Sequence, residues 1–213
     1  MKILCKTLFF AFAAFLVSCT TDADDEWNAA DVCPESKRGT FVDERDGQVY
    51  KYTTIGKQVW MAQNLNYDVR DDACYYEEDD CKTMGRVYFW NAASCPAGWH
   101  LPSLEEWRKM FKTLEGEEKA AKRLKATYSW VPLNREDEPN GTDDCGFSAV
   151  FGINGRNDDG LESGFLTSTV EYSRIDGTPL QVTAIMFRSY PKEVQGRMDA
   201  PHYSSFYVRC VKD

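Results

Sequence analysis

The fold of this chain is decided by the stretch CPAGWHLPSLEEWRKMFKTL, residues 95–114. Ser103 precedes an apolar pattern at helical spacing, and Glu106 lies three residues further on. These two residues match the capping box, in which each side chain accepts a hydrogen bond from the other residue's backbone N–H. The apolar positions that share one helix face are Leu104, Trp107, Met110, Phe111 and Leu114. The stretch therefore predicts an amphipathic helix after Ser103, and a second short helix is expected over residues 117–125.

Strands are predicted on both sides of these helices. Upstream, Asp46-Gly47 and Gly56-Lys57 turns separate β-like runs at residues 40–43, 49–55 and 58–62, which is typical of a meander. Downstream, β-like runs alternate with turn-rich segments at residues 128–131, 147–151, 164–170, 180–188 and 205–211. We expect one α+β domain over residues 39–213, with two helices, short antiparallel sheets and long loops, since no Pro/Gly/Ser-rich linker divides it.

The first 18 residues have the three parts of an export signal. Lys2 and Lys6 lie near the start, and an apolar run of about ten residues ends just before Cys19. This run is half the ~20 residues that a membrane-spanning helix needs, so a cleaved signal is expected. Leu16-Val-Ser-Cys19 resembles the lipobox of bacterial lipoproteins, which implies cleavage before Cys19 and acylation of that cysteine. A conventional secretory signal that happens to hold a cysteine is the alternative.

Residues 19–38 are predicted to form a flexible acidic tether. The segment that follows Cys19, TTDADDEWNAAD, is acidic and has few apolar residues apart from Trp27. Several acyl chains on one residue give stable anchoring, so we expect attachment to a membrane through Cys19. Thr20 resembles an outer-membrane retention signal, and the acidic cluster resembles signals for surface export. The expected location is the cell envelope, at the outer membrane and exposed on the cell surface.

The charge of the mature chain argues against a nucleic-acid partner. The signal removes two of the 25 basic residues and none of the 34 acidic residues, which leaves 23 against 34 and a net charge of −11. Non-specific binding to nucleic acid depends on Lys and Arg that displace counterions from phosphates. No Lys/Arg-rich run is present in the sequence, so we expect no nucleic-acid partner.

Six cysteines remain once the signal is removed and Cys19 is acylated: Cys33, Cys74, Cys81, Cys95, Cys145 and Cys210. Outside the cytoplasm an even number favours disulfides, here three among 15 possible connectivities. A zinc site is the competing interpretation, but the chain has no C-x2-C or H-x3-H spacing.

The pairing can be partly inferred. Cys74 and Cys81 flank a short acidic loop, so we expect a local bridge between them. A bridge from Cys95 to Cys210 would join the middle of the chain to its C-terminal strand and close a long loop. The pair that remains by elimination is Cys33 and Cys145.

Six blocks of the sequence together resemble one family. They are FVDERDGQVY (41–50), IGKQVWMAQNLNY (55–67), GRVYFWNAA (85–93), CPAGWHLPSLEEW (95–107), NGTDDCGFSA (140–149) and VRCVKD (208–213). In this order they are similar to the Fibrobacter succinogenes major paralogous domain, over about residues 39–213. That family comprises exported, often lipid-anchored proteins and has no settled activity. Its GWHLP and VRC patterns are similar to the formylglycine-generating-enzyme branch of the C-type-lectin-like fold, which implies a disulfide-stabilised domain of that fold here.

The sequence contains no complete catalytic constellation. A formylglycine-generating oxidase needs a copper-binding cysteine pair late in the domain, where only Cys145 and Cys210 lie, and both are expected in disulfides. A histidine-rich iron site is not available with two histidines. Glu105 and Glu106 point about 100° apart on a helix, so Glu106 is expected to cap rather than to act in an acid/base dyad. His100 is expected to pack between its neighbours, and we expect that the protein is not an enzyme.

Calcium is the candidate cofactor. Glu138-Pro-Asn140 resembles the sugar-binding tripeptide of C-type lectins, where Glu and Asn oxygens coordinate Ca²⁺ together with sugar hydroxyls. Asp143 and Asp144 follow closely and complete the candidate ligand set. The downstream Trp-Asn-Asp partner of lectins is missing, so a charged turn is the alternative. Asn157-Asp-Asp-Gly160 is more typical of a turn than of a calcium loop.

These observations predict an exported, membrane-anchored, non-catalytic binding or adhesion module of the cell envelope. Plant polysaccharide and a surface protein are the candidate partners. The alternatives are an enzyme on the formylglycine-generating template and a structural envelope protein. Six tryptophans could stack on sugar rings if they lay exposed on one face, but most fall inside blocks that are typical of a core, which is where we expect them.

Overall fold

A computed structural model describes residues 27–70, 72–73, 78–130, 141–152, 162–189 and 194–213. The described helices are α1 (Ala29–Val32), α2 (Glu78–Met84), α3 (Leu104–Thr113) and α4 (Glu117–Leu124), with a 3-10 turn at Glu35–Lys37. The strands are β1 (Gly39–Val42), β2 (Val49–Ile55), β3 (Gln58–Met61), β4 (Asp72–Ala73), β5 (Val87–Phe89), β6 (Trp99–His100), β7 (Glu162–Tyr172), β8 (Pro179–Arg188), β9 (Val194–Pro201), β10 (Ser205–Tyr207) and β11 (Val211–Lys212). The fold is therefore mixed α+β and mostly sheet.

The strands form two sheets. The first has the order β1-β2-β3-β11-β6, so the C-terminal strand β11 lies between β3 and β6. The second has the order β4-β5-β10-β7-β8-β9. The pairings are antiparallel except that of β10 with β7, where Tyr207 faces Phe165 in a parallel register. Because β10 and β11 are separated by only three residues, the C-terminal segment connects the two sheets directly.

Helix α3 begins where the sequence predicts. The Ser103 side chain accepts a hydrogen bond from the Glu106 N–H, and Glu106 Oε2 accepts one from the Ser103 N–H at 2.8 Å. The apolar face of α3 is buried, and α4 buries Ala120, Ala121 and Leu124. Both predicted helices and the three-stranded meander are confirmed. No helix in the described parts of the chain is long and apolar enough to cross a membrane.

The core is built on Trp107 of α3. Its ring lies 4.8 Å from the ring of Trp60 on β3 and 5.8 Å from that of Phe165 on β7. Trp107 therefore packs against strands of both sheets. Four tryptophans are buried, namely Trp60, Trp99, Trp107 and Trp130, while Trp27 and Trp90 are half-buried. Most tryptophans thus contribute to the core, as the sequence predicts.

Two short helical elements precede Gly39, where the predicted domain begins. Asn28 caps α1 by accepting a hydrogen bond from the Ala30 N–H, and α1 with the 3-10 turn occupies residues that the sequence assigns to the tether. Cys33 follows α1 and is buried in the core. Short helices of this kind have no long apolar pattern, so periodicity does not reveal them.

Three predicted strands differ in the structure. Residues 127–129 form a turn, because Trp130 points inward and its Nε1 donates to the Ala149 carbonyl at 2.7 Å. Residues 147–151 contain only an isolated bridge between Ala149 and Lys125, since nearby carbonyls accept side-chain hydrogen bonds instead of ladder bonds. The predicted strand at 205–211 is interrupted between β10 and β11. Strands β7 and β8 are 11 and 10 residues long rather than short.

Candidate binding cleft

Arg209 joins three segments of the chain that are distant in sequence. It lies between β10 and β11, and only 1% of the residue is exposed. Its Nε donates to Asn64 Oδ1 at 2.5 Å, and its Nη1 donates to the carbonyls of Met61, at 3.2 Å, and Phe147. Its Nη2 donates to the Ser148 carbonyl at 2.9 Å. The planar guanidinium can serve these acceptors at once because its five N–H groups have a fixed geometry.

The groups that accept hydrogen bonds from the Arg209 guanidinium are uncharged. All four hydrogen bonds go to amide or carbonyl oxygens, and the guanidinium carbon lies 4.7 Å from the centre of the Phe147 ring. Burial lowers the pKa of Arg209 to about 9, while the charge of Asp143 acts in the opposite direction. Arg209 therefore remains a cation at neutral pH, in a buried position where its field is weakly screened.

Asp143 shapes the loop that faces Arg209. Its Oδ1 accepts from the Ser148 N–H at 2.7 Å, and its Oδ2 accepts from the Ser148 hydroxyl at 2.5 Å. Burial raises the pKa of Asp143, against the lowering effect of the Ser148 hydrogen bonds. Asp143 has a φ of 48°, a left-handed conformation that Asp tolerates better than most residues. These bonds fix the turn that presents the Ser148 carbonyl to Arg209.

A surface cleft of about 180 Å³ opens beside this network. Arg209 and Ser148 contribute to its lining, together with parts of β2, α2 and the turn at residues 127–129. Most of its side chains are polar. The amides, hydroxyls and cations of the lining are Gln48, Gln63, Asn64, Asn66, Thr83, Ser148, Tyr50, Tyr128, Lys51, Lys82 and Arg209.

Several of these groups are held in place and still have hydrogen-bonding capacity. Asn66 donates its backbone N–H to the Tyr50 hydroxyl at 2.9 Å, whereas Asn66 Oδ1 is buried without a partner among the described residues. Burial raises the pKa of Tyr50 to about 12. Gln63 Oε1 accepts from the Lys51 N–H at 2.8 Å, which orients this amide. Tyr128 is 79% exposed, so its ring face is available to a ligand.

Gly85 allows the cleft wall to approach the Arg209 network. A Cβ at this position would lie 2.7 Å from the Asn64 Cβ and 2.9 Å from the Leu65 carbonyl oxygen. Its φ of 80° is also in the left-handed region that favours glycine. Any larger residue would displace Asn64, which bonds Arg209.

Asp143 and Asp144, two of the predicted calcium ligands, face different partners. Both oxygens of Asp143 are bonded to Ser148. The Asp144 carboxylate lies 3.9 Å from Arg123 Nε, and the Asp144 carbonyl accepts from Arg38 Nη2 at 2.8 Å. Glu138, Asn140 and residues 157–160 lie outside the described residues, as does Cys19. Within the described ranges, no group of three His, Cys, Asp or Glu side chains could hold a metal ion.

Two disulfides lie next to the Arg209 network. Cys95 is bridged to Cys210, with a Cα–Cα distance of 6.0 Å, and Cys33 to Cys145, with 5.2 Å. Both pairings are those inferred from the sequence. Cys81 is also disulfide-bonded, and Cys74 lies outside the described residues. Because Cys145 and Cys210 are both bridged, neither is a free thiolate that could bind copper.

His100 is more polar in its contacts than the sequence predicts. Its Nδ1 lies 2.6 Å from Asp213 Oδ1 and its Nε2 lies 2.8 Å from Glu106 Oε1, and 43% of its side chain is exposed. The pairing of His100 with Val211 brings the C-terminal residue beside it. Burial alone would lower the pKa of His100, but the hydrogen bonds to Asp213 and Glu106 raise it overall. His100 is therefore not simply packed between its neighbours, because its ring lies between two carboxylates.

The sequence matches the model of one protein family. The model of the Fibrobacter succinogenes major domain matches residues 53–212, about three quarters of the chain. The chain belongs to this family. No curated protein and no solved structure matches it. In this member of the Fibrobacter succinogenes major domain family, the matched region contains Arg209, its four hydrogen-bond acceptors and every described residue of the cleft except Gln48, Tyr50 and Lys51.

The sequence patterns do not predict the Arg209 network, although a signal for it exists. Arg209 stands in an apolar run that is typical of a strand, and Asn64 follows the predicted strand at residues 58–62. A charged residue in a buried run must find compensating groups, and an amide nearby is a suitable acceptor. The sequence does not reveal which distant carbonyls complete the set.

Substitution of His100 by Gln should remove a pH-dependent contribution to stability. The raised pKa of His100 means that its contribution is full below its ordinary value of 6.5 and is lost as the pH rises through the folded value. The Glu106 pKa is lowered, mainly by Ser103 and His100 against the effect of burial, so its contribution is lost as the pH falls below its ordinary 4.5. The triad of His100, Glu106 and Asp213 therefore contributes most to the stability of the fold between about pH 4.5 and pH 6.5.

We expect the unfolding free energies of wild type and His100→Gln, from urea titrations, to differ more at about pH 5.5 than at about pH 8.5. His202→Gln is the control, since His202 is also exposed and lies outside this triad. A constant difference across the pH range would contradict the ion-pair interpretation of His100.

Proposed function

We propose that this protein is an exported, lipid-anchored binding module of the cell envelope without catalytic activity, and that the cleft beside Arg209 is its ligand site. The observation that carries the proposal is the cleft itself, a concave surface of amides, hydroxyls and cations held by a buried network. Binding sites typically combine a concave shape with a few fixed polar groups.

The chemistry of the cleft supports a saccharide as ligand. Amide side chains both donate and accept hydrogen bonds, as sugar hydroxyls do. The Asn66 Oδ1 acceptor has no partner among the described residues, and a hydroxyl could supply its donor. The exposed ring of Tyr128 could stack on a pyranose face. These groups favour a polysaccharide over a surface protein as the ligand.

A binding role is also supported by the state of the late cysteines. An enzyme on the formylglycine-generating template would need Cys145 and Cys210 as copper ligands, and both are bridged to other residues. We propose further that the domain is a formylglycine-generating-enzyme-like variant of the C-type-lectin-like fold. The Cys95–Cys210 bridge and the two helices between the meander and the closing strands support this assignment.

The proposed location rests on the N-terminal sequence. The apolar run before Cys19 and its similarity to a lipobox favour acylation. Thr20 after the cysteine favours the outer membrane, and the acidic cluster that follows favours exposure at the surface. A surface-anchored module with a saccharide cleft would attach the cell to its substrate.

Substitution of Cys19 by Ala should abolish lipid attachment. We expect wild-type protein to co-float with membranes and its mature N-terminal peptide to carry acyl chains by mass spectrometry, whereas Cys19→Ala protein should lack both properties. Cys5→Ala is the matched control, because Cys5 lies within the signal that is removed. A mature N-terminus at another residue, without acyl mass, would contradict the proposed anchor.

Substitution of Tyr128 by Ala should weaken saccharide binding. We expect affinity for insoluble plant polysaccharides to fall about twofold to twelvefold, since one aromatic contact of about 0.5–1.5 kcal/mol is lost. Tyr203→Ala is the control, because Tyr203 is 65% exposed and does not line the cleft. Absence of wild-type retention on every polysaccharide would count against the proposal. Chelation of Ca²⁺ in a parallel arm tests the calcium hypothesis, which requires retention to be lost.

A further inference from the structure

The charges on the described lining of the cleft are opposite in sign to the net charge of the chain. The full sequence has 34 acidic and 25 basic residues, yet the described lining of the cleft includes Lys51 and Arg209, and none of its described residues carries a carboxylate. A cleft with one sign of charge concentrates ligands of the opposite sign. This local reversal indicates an anionic ligand.

Arg209 provides the buried part of this positive charge. Its four hydrogen bonds go to uncharged oxygens, so none of them neutralises it. A guanidinium has five N–H groups, and the fifth, on Nη2, has no partner among the described residues. The carboxylate that acts on Arg209 most strongly is that of Asp143, whose two oxygens are already bonded to Ser148. An anion in the cleft would supply a directly bonded counter-charge, which Arg209 lacks among the described residues.

Lys51 provides the exposed part of the charge. It lies on β2 with its side chain exposed, and its backbone N–H donates to Gln63 Oε1, so Lys51 and the oriented amide of Gln63 are neighbours in the cleft lining. The flexible Lys51 ammonium can pair with the carboxylate of a ligand that enters the cleft. The buried Arg209 guanidinium, in contrast, is held in a nearly fixed position.

We infer that the cleft binds a saccharide that carries a carboxylate, a uronate unit of an acidic polysaccharide, in preference to a neutral sugar. This inference rests on the proposed function and specifies its ligand class. One uronate ring offers a carboxylate for Lys51 and Arg209, hydroxyl donors for Asn66 Oδ1 and a face for Tyr128. An acidic peptide would satisfy the cations alone, so the aromatic and amide groups favour the saccharide.

The test compares galacturonate oligomers with the same oligomers after methyl esterification, which removes the charge and keeps the ring. Isothermal titration with the mature protein should give at least about tenfold tighter binding of the free acid, the effect of one charge-assisted hydrogen bond. Added salt should weaken that preference. Lys51→Gln should lose about tenfold in affinity for the free acid and little for the ester. Lys57→Gln is the matched control, since Lys57 is exposed on the β2–β3 turn and does not line the cleft.

Equal affinities for acid and ester would overturn the inference and leave the saccharide proposal standing. Binding of an Asp-rich peptide as tight as that of the oligomer, unaffected by Tyr128→Ala, would also overturn it and assign a protein ligand. If neither oligomer bound but the protein were still retained on neutral polysaccharide, the uronate inference would be rejected and the proposed saccharide site would stand. Failure of both oligomers and of every polysaccharide would reject the proposed function as well.

Discussion

The guanidinium of Arg209 is the constraint on which the rest of the structure depends. It is buried, it carries its charge without a bonded carboxylate, and its hydrogen bonds hold the segments around Met61, Asn64 and Phe147. Burial of an unpaired charge is costly, so every acceptor in this set must stay in place. The hydrogen bonds to Arg209 consequently hold the nearby loops in place, and the cleft forms where those loops meet the surface.

The two disulfides strengthen the same region. Cys210 directly follows Arg209, and Cys145 is two residues before Phe147, so each bridge is attached to a segment that contacts the guanidinium. Each bridge closes a long loop, with sequence separations of 112 and 115 residues, which restricts the unfolded chain strongly in the entropy model. On the other side of Phe147, the Trp107 ring lies 5.9 Å away and connects the network to α3 and the core. A buried cation, two covalent ties and an aromatic cluster thus support one polar surface.

The sequence predicts the elements whose signals are local. The meander follows from Asp-Gly and Gly-Lys turns, and α3 follows from Ser103, Glu106 and the apolar spacing after them. Prediction from the sequence fails where long-range contacts determine the backbone conformation. Residues 147–151 have strand-like composition, but their carbonyls are engaged by Arg209, and α1 is too short for periodicity to detect. For the site, the sequence indicates Asp143 and Asp144 as oxygen ligands, while the roles of Arg209 and Asn66 depend on distant loops that only the fold brings together.

The unfolding free energy of Arg209→Met, measured in urea, tests this view most directly. Four acceptors would lose their donors at a cost of about 1–3 kcal/mol for each that remains buried, so we expect a loss of at least about 3 kcal/mol. The exposed Arg108 on α3 gives the control substitution Arg108→Met, for which a change within about 0.5 kcal/mol is expected. In a cycle with Asn64→Leu, the two substitutions should be strongly non-additive. A stability of Arg209→Met within about 1 kcal/mol of wild type, with additive effects, would contradict a central role for this guanidinium.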